Sequence, residues 1–241
     1  MKRINGILVL LLSSIFVFVS CSKDDEPELP AYVEPSIAGE QVIVETPAHL
    51  VTKANEGDFN ASIAVMYIEW ANSLSQFGSS FYLPDDTEVK NAGNGKAVYS
   101  WTYPGGYGYW MTFSDEGGKY TWTYEWEIPE QDRFTYIYAE ENKDGKSGSW
   151  TIYDPSSPVQ EVWVYNWIID SNDNFSATLT WDESVDSYGV FEVESNADGS
   201  GSFTYTVDGT DQVEIIWNAD GSGNYQLNYD EDVINYSWTA G

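Results

Sequence analysis

Residues 120–127 read YTWTYEWE and indicate the fold class most clearly. Aromatic side chains at every second position alternate with Thr and Glu. Because successive side chains of a β-strand point to opposite faces of a sheet, this period of two predicts a strand with one apolar and one polar face. The same alternation recurs around residues 134–138, 163–169, 203–207 and 225–229. The chain is therefore predicted to be rich in half-buried antiparallel strands.

Short glycine-containing turns separate these segments. One motif, Asn-x-Asp-Gly followed by a second Gly, occurs at residues 142–148, 196–201 and 218–223. Asp-Gly suits a tight hairpin because glycine tolerates positive φ. No gap between the strands is long enough for a crossover helix, so neighbouring strands should pair antiparallel in chain order. We predict an all-β, up-and-down meander of about twelve strands between residues 96 and 239, forming a curled sheet or a barrel.

One N-terminal amphipathic helix is predicted before the strands, over residues 60–77. Its apolar residues are spaced alternately four and three apart, which places them on one helix face. They are Ile63, Tyr67, Trp70, Leu74 and Phe77. Asp58 or Asn60 is expected to cap the start of this helix, and Gly78 to end it. We expect the helix to pack on one face of the sheet.

The composition excludes several classes of function. Asp and Glu total 39 against 10 Lys and Arg, and the net charge of −29 argues against a nucleic-acid partner. A single Cys excludes a disulfide framework within the chain and a Cys-based zinc site. A single His argues against multi-His metal sites and His-based triads. The aromatic content of 16% is too high for a disordered chain.

The first 20 residues have the pattern of a targeting segment. Two basic residues precede an apolar run at 7–19, which is too short to be a comfortable membrane span. Ser20 stands directly before Cys21, the only cysteine in the chain. This junction resembles a bacterial lipobox, and the resemblance implies cleavage before Cys21 and lipidation of its thiol. We therefore predict a lipoprotein signal peptide at 1–20 and attachment to a membrane through lipid chains.

The residues after Cys21 indicate where in the cell the protein is located. Residues 22–26 read SKDDE, and the Lys-Asp-Asp-Glu part resembles the surface-export tag of lipoproteins from the Bacteroidota. That resemblance implies a lipoprotein anchored in the bacterial outer membrane and exposed at the cell surface, with the inner face of the outer membrane as the alternative. We interpret residues 21–55 as the lipidated cysteine with an acidic, proline-rich tether, and residues 56–241 as a single β-rich domain.

A surplus of aromatic residues suggests a binding surface. Five of them flank a glycine-rich turn: Trp101, Tyr103, Tyr107, Tyr109 and Trp110. Exposed aromatic rings stack on the faces of sugars, and neighbouring polar groups can form hydrogen bonds with the sugar hydroxyls. We predict a non-catalytic role in binding a ligand or another envelope protein. Glycan binding through these five residues is the first alternative.

The repeated turns suggest a calcium site. Asp144, Asp198 and Asp220 each precede the first glycine of one copy, and carboxylate oxygens suit calcium. No copy has the ligand ladder of an EF-hand, so the turns are also explained as simple hairpins. No other cofactor is predicted.

A carboxylate-pair glycoside hydrolase is the second alternative. Such an enzyme needs two carboxyls that face each other across the sugar. Glu125 and Glu127 share the polar side of one predicted strand, and Glu192 and Glu194 share that of another. No pair is distinguished by its sequence context, so a non-catalytic function is favoured over an enzyme.

Overall fold

The computed structural model of the protein describes residues 29–35, 45–75, 83–184, 187–229 and 232–240. The predictions for the signal peptide, the lipobox cysteine and the export tag lie outside these described residues. Within the described part of the chain, no helix is both long enough and apolar enough to cross a membrane.

The described strands form one antiparallel sheet. In chain order they are β1 (Glu88–Gly93), β2 (Lys96–Tyr103), β3 (Tyr107–Ser114), β4 (Lys119–Glu127), β5 (Phe134–Asn142), β6 (Ser147–Asp154), β7 (Ser157–Ile169), β8 (Phe175–Ser184), β9 (Ser187–Ser195), β10 (Gly201–Val207), β11 (Thr210–Trp217), β12 (Gly223–Tyr229) and β13 (Asp232–Trp238). The 13 strands pair in this order, each with its chain neighbours. The sheet is open, because β1 and β13 stand at the two ends of the order. The predicted all-β meander is confirmed, and β1 lies before the segment in which strands were expected.

One face of the sheet carries nearly all of the large buried side chains. Cross-strand partners lie on the same face, and Phe113, Trp122, Ala139, Trp150 and Tyr165 form one row across five strands. All five are almost fully buried. We call this side the covered face. The other side, the polar face, carries the Thr and Glu residues that alternate with these rings.

Four tryptophan rings on the covered face lie across a glycine of the neighbouring strand. The pairs are Gly148 with Trp167, Gly189 with Trp181, Gly201 with Trp217 and Gly223 with Trp238. A Cβ atom at any of these glycines would lie under 3.0 Å from the ring. Three of the glycines are the final residue of the repeated turn motif. Glycine is needed at these positions because a side chain would collide with the tryptophan ring. None of the three has the positive φ that would make glycine necessary for the turn.

Two helices contribute to the core, α1 (Ala48–Asn55) and α2 (Phe59–Ser75), and α2 packs on the covered face. α2 confirms the predicted helix at 60–77 over its described part. α1 lies inside the segment interpreted as a tether, and its Leu50 is fully buried. Pro47 directly precedes α1, a position where proline is compatible with a helix because the first N–H groups have no partner within the helix.

Asp58 caps α2, as predicted. One carboxylate oxygen accepts hydrogen bonds from the backbone N–H groups of Asn60 and Ala61, at 3.0 and 3.1 Å. The other accepts a bond from the Tyr236 hydroxyl of β13 at 2.8 Å. The hydrogen bond from the Ala61 N–H lowers the pKa of Asp58 most, and the bond from the Tyr236 hydroxyl lowers it further. This one carboxylate therefore starts the helix and ties it to the last strand.

Two alanines and an isoleucine form the most buried side of α2. Ala61, Ala64 and Ile68 are completely buried and follow helical spacing. Of the predicted apolar stripe, Tyr67 is half-buried and Trp70 is 38% exposed. The rings of Tyr67 and Trp70 still contact the sheet, at Phe203 and Phe191, but they remain partly exposed.

Residues 29–35 also lie on the covered face. The Tyr32 ring meets Phe113 edge-on, with 5.6 Å between the ring centroids. The indole N–H of Trp122 donates a hydrogen bond to the Val33 carbonyl at 2.9 Å. This part of the segment interpreted as a tether is therefore packed against the sheet.

Candidate functional site

Four of the five predicted ligand-binding aromatics come together at one end of the covered face. Trp101 of β2 pairs with Tyr109 of β3, and their rings are stacked with centroids 5.9 Å apart. Tyr103 and Tyr107 pair with each other beside the turn at 104–106. The Tyr103 ring also meets Tyr109 edge-on at 5.2 Å. Tyr103 is 50% exposed and Tyr107 38%, whereas Trp101 is buried beneath them.

Trp110 lies on the polar face and does not join the other four. It follows Tyr109 directly in β3, so its side chain points to the opposite side of the sheet. Its ring lies over Gly108 and beneath the Arg133 guanidinium, whose carbon is 4.7 Å from the ring centroid. Arg133 also pairs with Glu125 at 3.5 Å. A cation–π contact therefore explains the position of this tryptophan.

Three further aromatic residues complete the site. Trp126 of β4 pairs with Tyr109, and their rings stack at 5.8 Å. Tyr136 of β5 packs on Trp126 at 5.6 Å. Tyr124 lies between them, and with Ile137 these residues line a cavity of about 260 Å³. The alternation in β4, combined with hairpin pairing to β3, is the sequence signal that could have identified Tyr124 and Trp126.

We call this group the tyrosine cluster, and it consists of Trp101, Tyr103, Tyr107, Tyr109, Tyr124, Trp126 and Tyr136. Burial raises the pKa of Tyr109, and the neighbouring Tyr103 phenol raises it further. Burial also raises the pKa of Tyr124, and the neighbouring Tyr109 phenol adds to this increase. Both hydroxyls are therefore protonated at neutral pH and can donate as well as accept a hydrogen bond. Trp101 Nε1 is buried and has no hydrogen-bond partner among the described residues.

The repeated turns use their aspartates internally. Asp198 accepts hydrogen bonds from the backbone N–H and the hydroxyl of Ser200, at 2.9 and 2.6 Å. Asp220 makes the same pair of bonds with Ser222. Asp144 accepts one bond, from the backbone N–H two residues further on. The bond from the serine hydroxyl lowers the pKa of Asp198 and of Asp220 most, and the bond from the backbone N–H lowers it further.

The three turns belong to three different hairpins, β5–β6, β9–β10 and β11–β12. Over the described ranges, no group of three or more His, Cys, Asp or Glu side chains is placed to hold a metal ion. Calcium binding by Asp144, Asp198 and Asp220 stays a prediction.

Both glutamate pairs lie on the polar face. Glu125 and Glu127 alternate with the rings of β4, and Glu192 and Glu194 alternate with the covered side chains of β9. Neither pair faces the tyrosine cluster. Hydrolysis by either pair would therefore require a substrate on the polar face, and this alternative stays a prediction.

The tyrosine cluster combines exposed rings, a small cavity and uncharged hydrogen-bonding groups. No charged side chain is present among the described residues that line its cavity. Such a site suits a neutral ligand that carries hydroxyl groups. Comparisons of the chain with protein-family models, with curated proteins and with solved structures found no match.

Proposed function

We propose that this protein is a lipid-anchored, non-catalytic binding protein of the bacterial outer membrane, and that the tyrosine cluster binds a sugar residue of a glycan. The observation that carries the proposal is the aromatic cavity of about 260 Å³ beside the exposed rings of Tyr103 and Tyr107. A tyrosine supplies apolar ring surface and a polar tip in one side chain. A sugar presents the matching combination, C–H groups on its faces and hydroxyls at its edge.

The charge of the protein narrows the class of glycan. A net charge of −29 repels acidic ligands at long range. The Tyr109 and Tyr124 hydroxyls of the cavity are neutral, and its described lining contains no arginine or lysine to bind a carboxylate or sulfate. We therefore expect neutral glycans to be preferred over acidic ones.

The glycan proposal is tested with residues 22–241, which include every described residue. We expect saturable binding to a neutral glycan on an array, with Kd then measured by calorimetry. Tyr103→Ala should raise Kd at least about fivefold, because an exposed contact ring is lost while the core stays intact. Tyr188→Ala is the matched control, since Tyr188 is 49% exposed and lies on the polar face.

A blank array with folded protein would contradict glycan binding and favour the other prediction, that the partner is an envelope protein. The array is run with calcium and with a chelator. A hit that is lost in the chelator would support calcium binding by the repeated turns.

The membrane anchor is tested separately. Cys21→Ala should move the protein from the membrane fraction to the soluble fraction and change its electrophoretic mobility, because lipid chains supply the membrane affinity. Ser22→Ala is the control and should leave both properties unchanged. Unaltered fractionation and mobility of the Cys21→Ala protein would contradict lipidation. Resistance of the wild-type protein to protease added outside intact cells would contradict surface exposure.

A further inference from the structure

A second cavity lies on another part of the covered face, between α2 and strands β7 to β10. Its volume is about 770 Å³, within the usual range of small-molecule sites. The helix contributes Met66, Tyr67, Trp70 and Ser73, and the sheet contributes Trp163, Leu179, Trp181, Phe191 and Tyr205. We call this cavity the helix groove.

The helix groove is apolar within a strongly acidic protein. None of its described lining residues is charged, although the chain has 39 Asp and Glu residues. Its one aliphatic hydroxyl, on Ser73, donates a hydrogen bond to the Trp70 carbonyl at 2.7 Å and is used within the helix. The groove therefore offers apolar contact and few polar groups.

The rings on the floor of the groove are stacked on one another. Trp181, Phe191 and Tyr205 come from three neighbouring strands, with centroids 4.3 and 4.7 Å apart and interplanar angles of 19° and 20°. Side chains stand roughly perpendicular to a sheet, so rings stacked from strand to strand cover each other's faces and present their edges to the groove. Trp70 of α2 meets Phe191 at 3.8 Å with an interplanar angle of 83°.

This geometry discriminates between ligand classes. A sugar needs polar partners for its hydroxyls, and the described lining of the groove offers few of them. A flexible alkyl chain needs only apolar surface and can follow a row of ring edges and a thioether. Around the groove, Met66 is 54% exposed and Trp163 is 39% exposed, so a chain bound there would remove apolar surface from water.

We propose that the helix groove binds the hydrocarbon chain of a neutral amphiphile. The net charge of −29 disfavours an anionic head group, and the described lining carries no carboxylate to pair with a cationic one. The site is separate from the tyrosine cluster, so this proposal stands whether or not the protein binds glycans.

The probe is 11-bromoundecan-1-ol, because bromine quenches indole fluorescence on contact. Added to residues 22–241, it should quench part of the tryptophan fluorescence in a saturable manner, and undecan-1-ol should reverse the effect by competition. Competition by shorter alcohols should weaken about fourfold for each methylene removed. Trp163→Phe should reduce the quenched amplitude, because one tryptophan at the groove is lost.

Met66→Glu places a charge beside the groove at an exposed position and should weaken binding at least about tenfold. Ile168→Glu is the matched control, because Ile168 is 52% exposed and lies on the polar face of β7. Both variants should unfold at temperatures close to that of the wild type. The proposal is overturned if quenching does not saturate, if affinity is independent of chain length, or if Met66→Glu binds as tightly as Ile168→Glu.

Discussion

Replacement of Trp122 by Ala is expected to lower the free energy of unfolding by about 3–5 kcal/mol, the usual cost of removing a fully buried large ring. Trp122 has no exposed surface and lies between Phe113 and Ala139 in the central row of the covered face. Its indole N–H also donates to the Val33 carbonyl, 89 residues earlier in the chain. The substitution therefore leaves a cavity and releases the segment that covers this part of the sheet. Denaturant unfolding monitored by circular dichroism measures the change.

Two further variants separate the causes of this loss. Trp122→Phe keeps most of the ring and loses the N–H group, so we expect a cost of about 1–2 kcal/mol. Trp163→Ala removes a ring that is 39% exposed and should cost less than half as much as Trp122→Ala. Equal losses for Trp122→Ala and Trp163→Ala would contradict the assignment of Trp122 to the core.

Gly201→Ala is expected to destabilise the protein by at least about 2 kcal/mol, which for a domain of this size lowers Tm by about 4–8 °C. A Cβ atom at Gly201 would lie under 3.0 Å from both the Trp217 ring and the Glu194 carbonyl oxygen. The ring could rotate away, but the carbonyl belongs to the neighbouring strand and cannot move without breaking the pairing of β9 with β10. Thermal unfolding followed by calorimetry measures the effect.

A turn glycine provides the control for this prediction. Gly117 has a φ of 65°, and a Cβ atom there would meet nothing within 4 Å. Asn is tolerated in this left-handed conformation, so Gly117→Asn should change Tm by only a few degrees. A Gly201→Ala protein as stable as the Gly117→Asn protein would show that the ring does not need the glycine.

The strands and their order could be predicted because both depend on local sequence. The alternation in residues 120–127 reports which side chains share a face, since the period of two is a property of the extended backbone. The Asp-Gly turns join consecutive strands, so antiparallel pairing in chain order follows from the turns. Asp58 could be identified as a helix cap for the same reason, because its partners are two and three residues away.

The candidate site was only partly predictable. Trp110 was grouped with Tyr109 because the two residues are adjacent in the sequence. Adjacent strand residues point to opposite faces of the sheet, and Trp110 packs with Arg133 on the other face. Tyr136 joined the site because β5 lies beside β4, which required the pairing of strands as well as their pattern.

Local patterns in the sequence determined the fold class, the turns and the division of each strand into two faces, because these depend on residues only a few positions apart. The tertiary structure alone decided that Val33 and Leu50 belong to the packed domain, that Gly201 makes room for a ring, and which rings stay exposed. These features depend on contacts between distant parts of the chain, where cross-strand register and the available volume determine which side chains meet.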